Sequence, residues 1–187
     1  AVVASAASAT GRATAAGIAI AGQGANVTVP ARGASRPSAG QIATEAARAL
    51  AIDPQNADAL AAQLFTVPPF GRFLDSEAAL ERLRRAPGSA HGRRYIGWYL
   101  RTTGRVRESL EETERAFRLN ALDPMTANTL ALARMAAGRV ADAVPVYEDL
   151  LVRVPDMSFP VSSLLRAYAF QQNWTAVDRL LELAAKR

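Results

Sequence analysis

A repeat of about 34 residues, the length of a common two-helix unit, constrains this chain more than any other feature of its sequence. Gly104-Arg105-Val106 recurs one repeat later as Gly138-Arg139-Val140, and Gly71-Arg72 stands almost the same distance before Gly104-Arg105. Repeats of this length, each made of two helices, are typical of helical solenoids in which every unit packs on its neighbours. The repeat therefore predicts an elongated, all-α domain.

Apolar periodicity, interrupted by glycine and proline, predicts helices that follow one another in pairs. The first begins after Ser38, which can cap it, and stops at Asp53-Pro54. The others are predicted at 58–66, 75–86, 90–103, 106–119, 126–137, 140–154, 159–171 and 175–186. Successive units are predicted to end at Pro54, Pro87, Pro124 and Pro155, with a longer interval before Pro124 and a shorter one after it. These intervals predict an insertion near residues 120–122 that the next helix cancels.

The chain divides into two parts by composition. Residues 1–40 are rich in Ala, Gly, Ser and Thr and contain no acidic residue, whereas residues 41–187 carry the repeats. Low-complexity sequence of the first kind buries little apolar area, although its alanines allow a helix at 2–20. Since the chain does not begin with Met, we expect a processed form or a fragment of a longer protein.

Within the repeats, glycine, small, aromatic and proline residues recur at fixed places: Gly97, Gly104, Ala143, Tyr147, Pro155, Tyr168 and Ala184. In this pattern the chain resembles the tetratricopeptide repeat (TPR) family over about residues 41–187. The resemblance implies a right-handed α-α superhelix and a non-catalytic scaffold that binds a peptide or protein segment in a concave groove. Arg94 and Trp98 stand where the family's carboxylate clamp has Lys and Asn, and Asn128 alone matches, so that clamp is not implied.

The repeat offset aligns residues on the first helices of successive units, which the resemblance places along the groove. The predicted groove residues are His91, Arg94, Trp98, Arg101, Asn128, Leu132 and Arg166. Arginine can grip a carboxylate through two hydrogen bonds, and tryptophan supplies buried area. These residues therefore predict a peptide partner with acidic and apolar side chains. The alternative is that Trp98 and Leu132 only pack between helices.

Charge is distributed unevenly near the middle of the chain. Eight arginines and no acid lie between Arg82 and Arg107, and four glutamates follow closely at positions 108, 111, 112 and 114. We favour local ion pairs as the explanation, with pairs such as Glu111 with Arg115 and Glu114 with Arg118. A site for an acidic peptide or a phosphate backbone is the alternative.

Several kinds of chemistry are excluded or disfavoured by residue counts. The chain has no cysteine and a single histidine, His91, which excludes disulfides, thiol nucleophiles and paired-histidine metal sites. It also lacks a P-loop. We therefore expect no enzyme activity, no cofactor and no metal.

The basic charge does not by itself indicate nucleic acid. Lys186 is the only lysine, so the net charge of +5 is almost entirely arginine, which fits a GC-rich bacterial coding bias. The favoured hypothesis is a protein-interaction scaffold. The alternative is a sensory or oligomerising region of a bacterial transcriptional regulator, and direct nucleic-acid binding ranks third.

Location and assembly are not fixed by the sequence. No apolar run reaches the roughly 18 residues of a membrane span. The compartment is left open, with the cytoplasm favoured over the periplasm, and the oligomeric state is undetermined.

Overall fold

The computed structural model describes residues 38–67 and 69–185, and within them every regular element is an α-helix. The predictions made for residues 1–37 lie outside this part of the chain. The helices are α1 (Ala39–Ile52), α2 (Ala57–Thr66), α3 (Phe73–Arg85), α4 (Ala90–Thr102), α5 (Val106–Leu119), α6 (Pro124–Ala136), α7 (Val140–Arg153), α8 (Phe159–Phe170) and α9 (Trp174–Ala185).

Helix α1 begins where its capping residue predicts. The Ser38 hydroxyl accepts a hydrogen bond from the Gln41 amide at 3.2 Å, and the Gln41 side chain accepts one from the Ser38 amide at 2.7 Å. This reciprocal pair satisfies two donors that a helix start would otherwise leave unbonded. The predicted start at Ser38 is confirmed.

Helix α6 begins at Pro124, slightly earlier than the pattern predicts. Asp123 caps it and accepts hydrogen bonds from the amides of Met125 and Thr126. Proline fits the first helical position because its nitrogen would have no intrahelical partner there. Pro124 thus opens a unit, and the prediction that it ends one was wrong.

The turns inside the helix pairs show the true period. Gly71, Gly104, Gly138 and Gln172 all have a positive φ and follow one another at almost equal spacing along the chain. Each of these residues stands two positions before the second helix of its pair, and Gly104, Gly138 and Gln172 also end the first helix. The period is regular, so the predicted insertion near residues 120–122 is absent.

The helices stack as pairs: α2 with α3, α4 with α5, α6 with α7 and α8 with α9, with α1 packed on α2. The first helices also meet, since α2 packs on α4 and α4 on α6. Within one pair, α4 and α5 approach closely at Gly97. A Cβ there would overlap the Cγ2 methyl of Thr113, and the Ser109 hydroxyl donates to the Gly97 carbonyl at 2.7 Å. Gly97 is therefore required by packing.

Two large apolar clusters form the core of the described residues. One joins α2, α3 and α4 around Leu64, Leu80 and Tyr99, and the other joins α6 to α9 around Tyr147 and Leu164. In this part of the chain no helix is long and apolar enough to cross a membrane.

Candidate functional site

All seven predicted groove residues lie on first helices of the pairs. His91, Arg94, Trp98 and Arg101 are on α4, Asn128 and Leu132 on α6, and Arg166 on α8. We call the surface formed by α2, α4, α6 and α8 the first-helix face. The structure places five of the seven in two neighbourhoods on this face, and Asn128 and Leu132 lie on α6 outside both.

The first neighbourhood is an aromatic cluster of Phe65, His91, Tyr95 and Trp98. Ring centroids of Phe65 lie 5.7 Å from Tyr95 and 5.5 Å from Trp98, and those of His91 and Tyr95 are 5.0 Å apart. Tyr95 is buried, whereas Trp98 is half-buried and Phe65 is 39% exposed. The cluster therefore joins α2 to α4 and presents apolar ring surface to solvent.

Arg94 lies inside this neighbourhood and is only 5% exposed. Its guanidinium sits over the Tyr95 ring at 4.5 Å, and its Nη2 donates to Nδ1 of His91 at 3.2 Å. Asp123, the cap of α6, approaches Arg94 Nε to 4.0 Å, which permits charge attraction but no hydrogen bond. The charge of Arg94 is thus compensated within the protein, and the side chain links α4 to α6.

The environment of Arg94 also sets the ionisation of its neighbours. Burial, and then the positive charge of Arg94, lower the pKa of His91 to about 3, so this imidazole is neutral and its Nδ1 is free to accept. Burial raises the pKa of Asp58 on α2, an effect that the charge of Arg94 partly opposes. Arg94 therefore lies within electrostatic reach of two carboxylates, those of Asp58 and Asp123.

The second neighbourhood contains Arg101, Arg166 and Tyr147. Arg101 is half-buried, and its Nε is out of contact with solvent and has no hydrogen-bond acceptor among the described residues. Burial lowers the pKa of Arg101, Tyr147 opposes this effect, and the nearby charge of Arg166 lowers the pKa by a smaller amount than Tyr147 raises it. Two cations are therefore placed near each other without a carboxylate between them.

Tyr147 lies within electrostatic reach of both arginines and is fully buried. Burial raises the pKa of its hydroxyl, and the charges of Arg166 and Arg101 act in the opposite direction. The hydroxyl lies near Ser163 but makes no hydrogen bond of ordinary geometry. Arg166 is exposed, and its Nη2 reaches the Ser163 hydroxyl only at 3.4 Å. Polar groups in this neighbourhood thus have unused hydrogen-bonding capacity.

Asn128 and Leu132 lie on α6, which packs against α4. Asn128 is 8% exposed, and its Oδ1 has no partner among the described residues. Leu132 is half-buried and occupies the place on α6 that Trp98 occupies on α4, one repeat earlier. Neither residue contributes charge, so the cationic character of the face comes from its arginines.

Three of the eight arginines in the arginine-rich run are neutralised by glutamates on neighbouring helices. Arg84 pairs with Glu108 at 3.0 Å, Arg93 with Glu112 at 2.9 Å and Arg105 with Glu77 at 3.1 Å. The pKa of Glu108 is lowered to about 2, first by its hydrogen bond from Arg105 and also by Arg84.

Ion pairing is thus the better explanation for these residues, although the partners differ from those predicted. Arg115 pairs with Glu112 at 2.7 Å and Arg139 lies 3.7 Å from Glu114. Several of these pairs join one helix to another, which the sequence spacing within one helix does not reveal.

Sequence reasoning missed Phe65, Asp58, Asp123 and Tyr147. Phe65 carried a usable signal, because it lies close to one repeat before Trp98 and so belongs to the same row as Trp98, Leu132 and Arg166. Asp123 was hidden by the misplaced start of α6. The repeat pattern identifies Tyr147 as an aromatic position of its unit and does not indicate that it lies near Arg101 and Arg166.

Comparison with known proteins gives a consistent answer for the fold. No protein-family model matches the sequence, and no curated protein matches it either. Solved structures do match. MamA has a TM-score of 0.60 and 19% sequence identity, and the alignment covers 79% of this chain and 90% of that chain. PilF of Pseudomonas aeruginosa has a TM-score of 0.64 and 18% identity, and the alignment covers 79% of this chain and 68% of that chain.

A third similar structure is YrrB, described as a TPR protein with an unusual peptide-binding site (TM-score 0.59, 16% identity, 77% of this chain and 75% of that chain). At these identities the likeness concerns the fold. The helix pairs, the regular period of their turns and this likeness agree: the chain has the tetratricopeptide-repeat fold, an all-α solenoid of antiparallel helix pairs.

Proposed function

We propose that the chain is a protein-interaction scaffold that binds a peptide or protein segment on its first-helix face and performs no chemistry of its own. The observation that carries this proposal is the aromatic pair of Phe65 and Trp98. Their rings lie 5.5 Å apart on adjacent first helices, and Phe65 remains 39% exposed. The peptide-binding site named for YrrB, which has the same fold, supports this assignment.

The face has the composition of a binding surface. Aromatic and arginine side chains contribute disproportionately to binding energy because they bury large areas and make directed hydrogen bonds. Here the rings of Phe65 and Trp98 provide an apolar contact, and Leu132 continues their row on α6. The arginines on the same face favour a segment with acidic residues next to the apolar one.

The test uses a displayed library of randomised short peptides selected against the wild-type protein. Enriched peptides are then measured against two variants, Phe65→Ala and Phe70→Ala. Phe70 is a matched control, because it is the same residue type, 77% exposed, in the turn between α2 and α3. Circular dichroism establishes that both variants are folded.

We expect enriched peptides to bind wild type and Phe70→Ala alike and Phe65→Ala about tenfold more weakly, as befits the loss of one aromatic contact. If no peptide is enriched, or if Phe65→Ala binds as tightly as Phe70→Ala, the first-helix face is not the binding surface.

A further inference from the structure

Arg94 and Arg101 lie two turns apart on α4, and both have a buried Nε without a hydrogen-bond acceptor. Their surroundings differ completely. Arg94 has Asp123 at 4.0 Å, His91 as an acceptor at 3.2 Å and the Tyr95 ring at 4.5 Å. Arg101 has no ion pair and no hydrogen bond to its side chain among the described residues, and the charge that lies near it, on Arg166, is another cation.

The other arginines of the run either have a hydrogen-bonding partner or are exposed to water, unlike Arg101. Arg84, Arg93 and Arg105 form ion pairs, and Arg82 donates to the Gln63 side chain at 2.8 Å. Arg85 and Arg107 are unpaired but exposed to water, which solvates them. Within the described part of this run, Arg101 alone is half-buried and also without an acceptor.

A cation held in this way is costly to the folded protein. Burial removes water from Nε of Arg101, and no described protein group replaces the lost hydrogen bond. The charge of Arg166 adds repulsion. Unfavourable arrangements of this kind cluster at binding sites, where a ligand supplies the missing partner. An anion between the two arginines would remove both costs together.

We infer that Arg101 and Arg166 form an anion site that takes a carboxylate or phosphoryl group of the bound segment. The inference rests on the proposed function for the origin of that group. The guanidinium groups of Arg101 and Arg166 supply the donors, in the forked geometry that matches such oxygens. Arg94, whose charge is already compensated, serves the packing of α4 against α6.

The position of the site predicts a ligand pattern. Trp98 lies one helical turn before Arg101 on α4, so the two side chains leave the helix on the same side. The aromatic cluster and the arginine pair are therefore neighbours along the face. A segment that occupies both carries its acidic or phosphorylated residue close in sequence to an apolar residue.

The first experiment tests the anion site without any peptide. Inorganic phosphate and acetate are titrated separately into the wild-type protein, and the Nε–Hε signals of its arginines are followed by NMR. The Arg101 signal is assigned by its loss in Arg101→Gln. Arg107, which is unpaired and exposed on the neighbouring helix α5, provides the internal control.

We expect a saturable shift of the Arg101 signal, a smaller and non-saturating shift of the Arg107 signal, and at least about tenfold weaker binding in Arg166→Gln. The inference is overturned if Arg101 responds no more than Arg107, or if Arg166→Gln leaves the affinity unchanged. Thermal unfolding of both variants shows whether they are folded, and removal of one repelling cation should not lower their stability.

The second experiment separates this inference from the proposed function. Peptides enriched by the wild type are resynthesised with aspartate, phosphoserine or asparagine at the acidic position. Aspartate or phosphoserine should bind about tenfold more tightly than asparagine, and the difference should vanish in the double variant Arg101→Gln/Arg166→Gln.

The relative affinities of the aspartate and phosphoserine peptides identify the source of the anion. If the enriched peptides require Phe65 for binding but bind equally well with asparagine at the acidic position, the anion site is contradicted and the proposed function still holds. If no peptide is enriched at all, the proposed function fails and the phosphate and acetate titrations alone decide the anion site.

Discussion

Gln172 adopts, at φ 57°, a backbone conformation that glycine adopts at the same place in three other helix pairs. A side chain in the left-handed region costs about 1 kcal/mol or more, because its Cβ crowds the following carbonyl. Glycine avoids this cost but has more freedom in the unfolded chain, which offsets part of the gain. The turn between α8 and α9 is therefore strained by its residue type.

We predict that Gln172→Gly raises the free energy of unfolding by about 0.5–1 kcal/mol, measured by urea denaturation. The converse change, Gly138→Ala, should lower it by about the same amount. No atom lies within 4 Å of a Cβ built at Gly138, so this cost comes from the backbone alone. Equal stability of Gln172→Gly and wild type would show that the turn carries no such strain.

His91 is a second residue whose surroundings have a measurable consequence. Its pKa falls from 6.5 to about 3 in the folded protein, so the folded state binds a proton less readily than the unfolded chain. Its contribution to stability is therefore full above pH 6.5 and is lost progressively as the pH falls toward 3.

We predict that the wild type loses about 1 kcal/mol of stability between about pH 6.5 and 5.5 through His91, and that His91→Gln loses much less over this range. Glutamine keeps a hydrogen-bond acceptor for Arg94 but does not titrate. Asp58, whose pKa is raised, acts in the opposite direction in both proteins and cancels in the comparison. Parallel pH profiles of the two proteins would contradict the burial of His91.

At the scale of helices, local signals predicted most of the fold. Capping by Ser38, the repeated Gly-Arg-Val and proline after α1 act within a few residues of the elements that they begin or end, so spacing alone reveals them. The start of α6 was misplaced because proline both stops a helix and suits its first position. The spacing of prolines does not reveal that Asp123 caps α6, so it predicts a helix stop at Pro124 where the structure has a helix start.

The site was less predictable than the helices, for a related reason. Spacing along a helix shows on which side of the helix a residue lies. Its burial depends on which side chains of the neighbouring helix pack against it. Arg94 is buried because the cap of α6 supplies Asp123 near it, and Arg101 is left without an acceptor because no described helix supplies a carboxylate there. Helical periodicity treats the two arginines alike, and tertiary packing distinguishes them.

At the scale of the whole molecule, the described core is divided along the chain. The cluster around Leu64 joins α2, α3 and α4, and the cluster that contains Leu180 joins α6, α7, α8 and α9. In stacked repeats each helix pair touches only its neighbours, so stability is close to a sum of local terms. A defect in one cluster should therefore weaken that end of the stack first.

We predict that Leu64→Ala and Leu180→Ala accelerate amide hydrogen exchange in different helices. Both leucines are buried, at 0% and 7% exposure, and their truncation removes about 2–5 kcal/mol of local stability. Leu64→Ala should deprotect α1 to α3, and Leu180→Ala should deprotect α7 to α9. Leu183→Ala, on the same helix as Leu180 but 49% exposed, should change exchange little.

Amide hydrogen exchange can also test the anion site on the first-helix face. Arg101 on α4 belongs to the N-terminal half of the described stack and Arg166 on α8 to the C-terminal half, so an anion held by both would link the two clusters. Saturating phosphate should then slow exchange in both halves of the wild type. In Arg101→Gln/Arg166→Gln it should have no such effect. Deprotection of all helices to the same extent by either leucine variant would instead indicate a single cooperative unit, in which binding cannot change the coupling between halves.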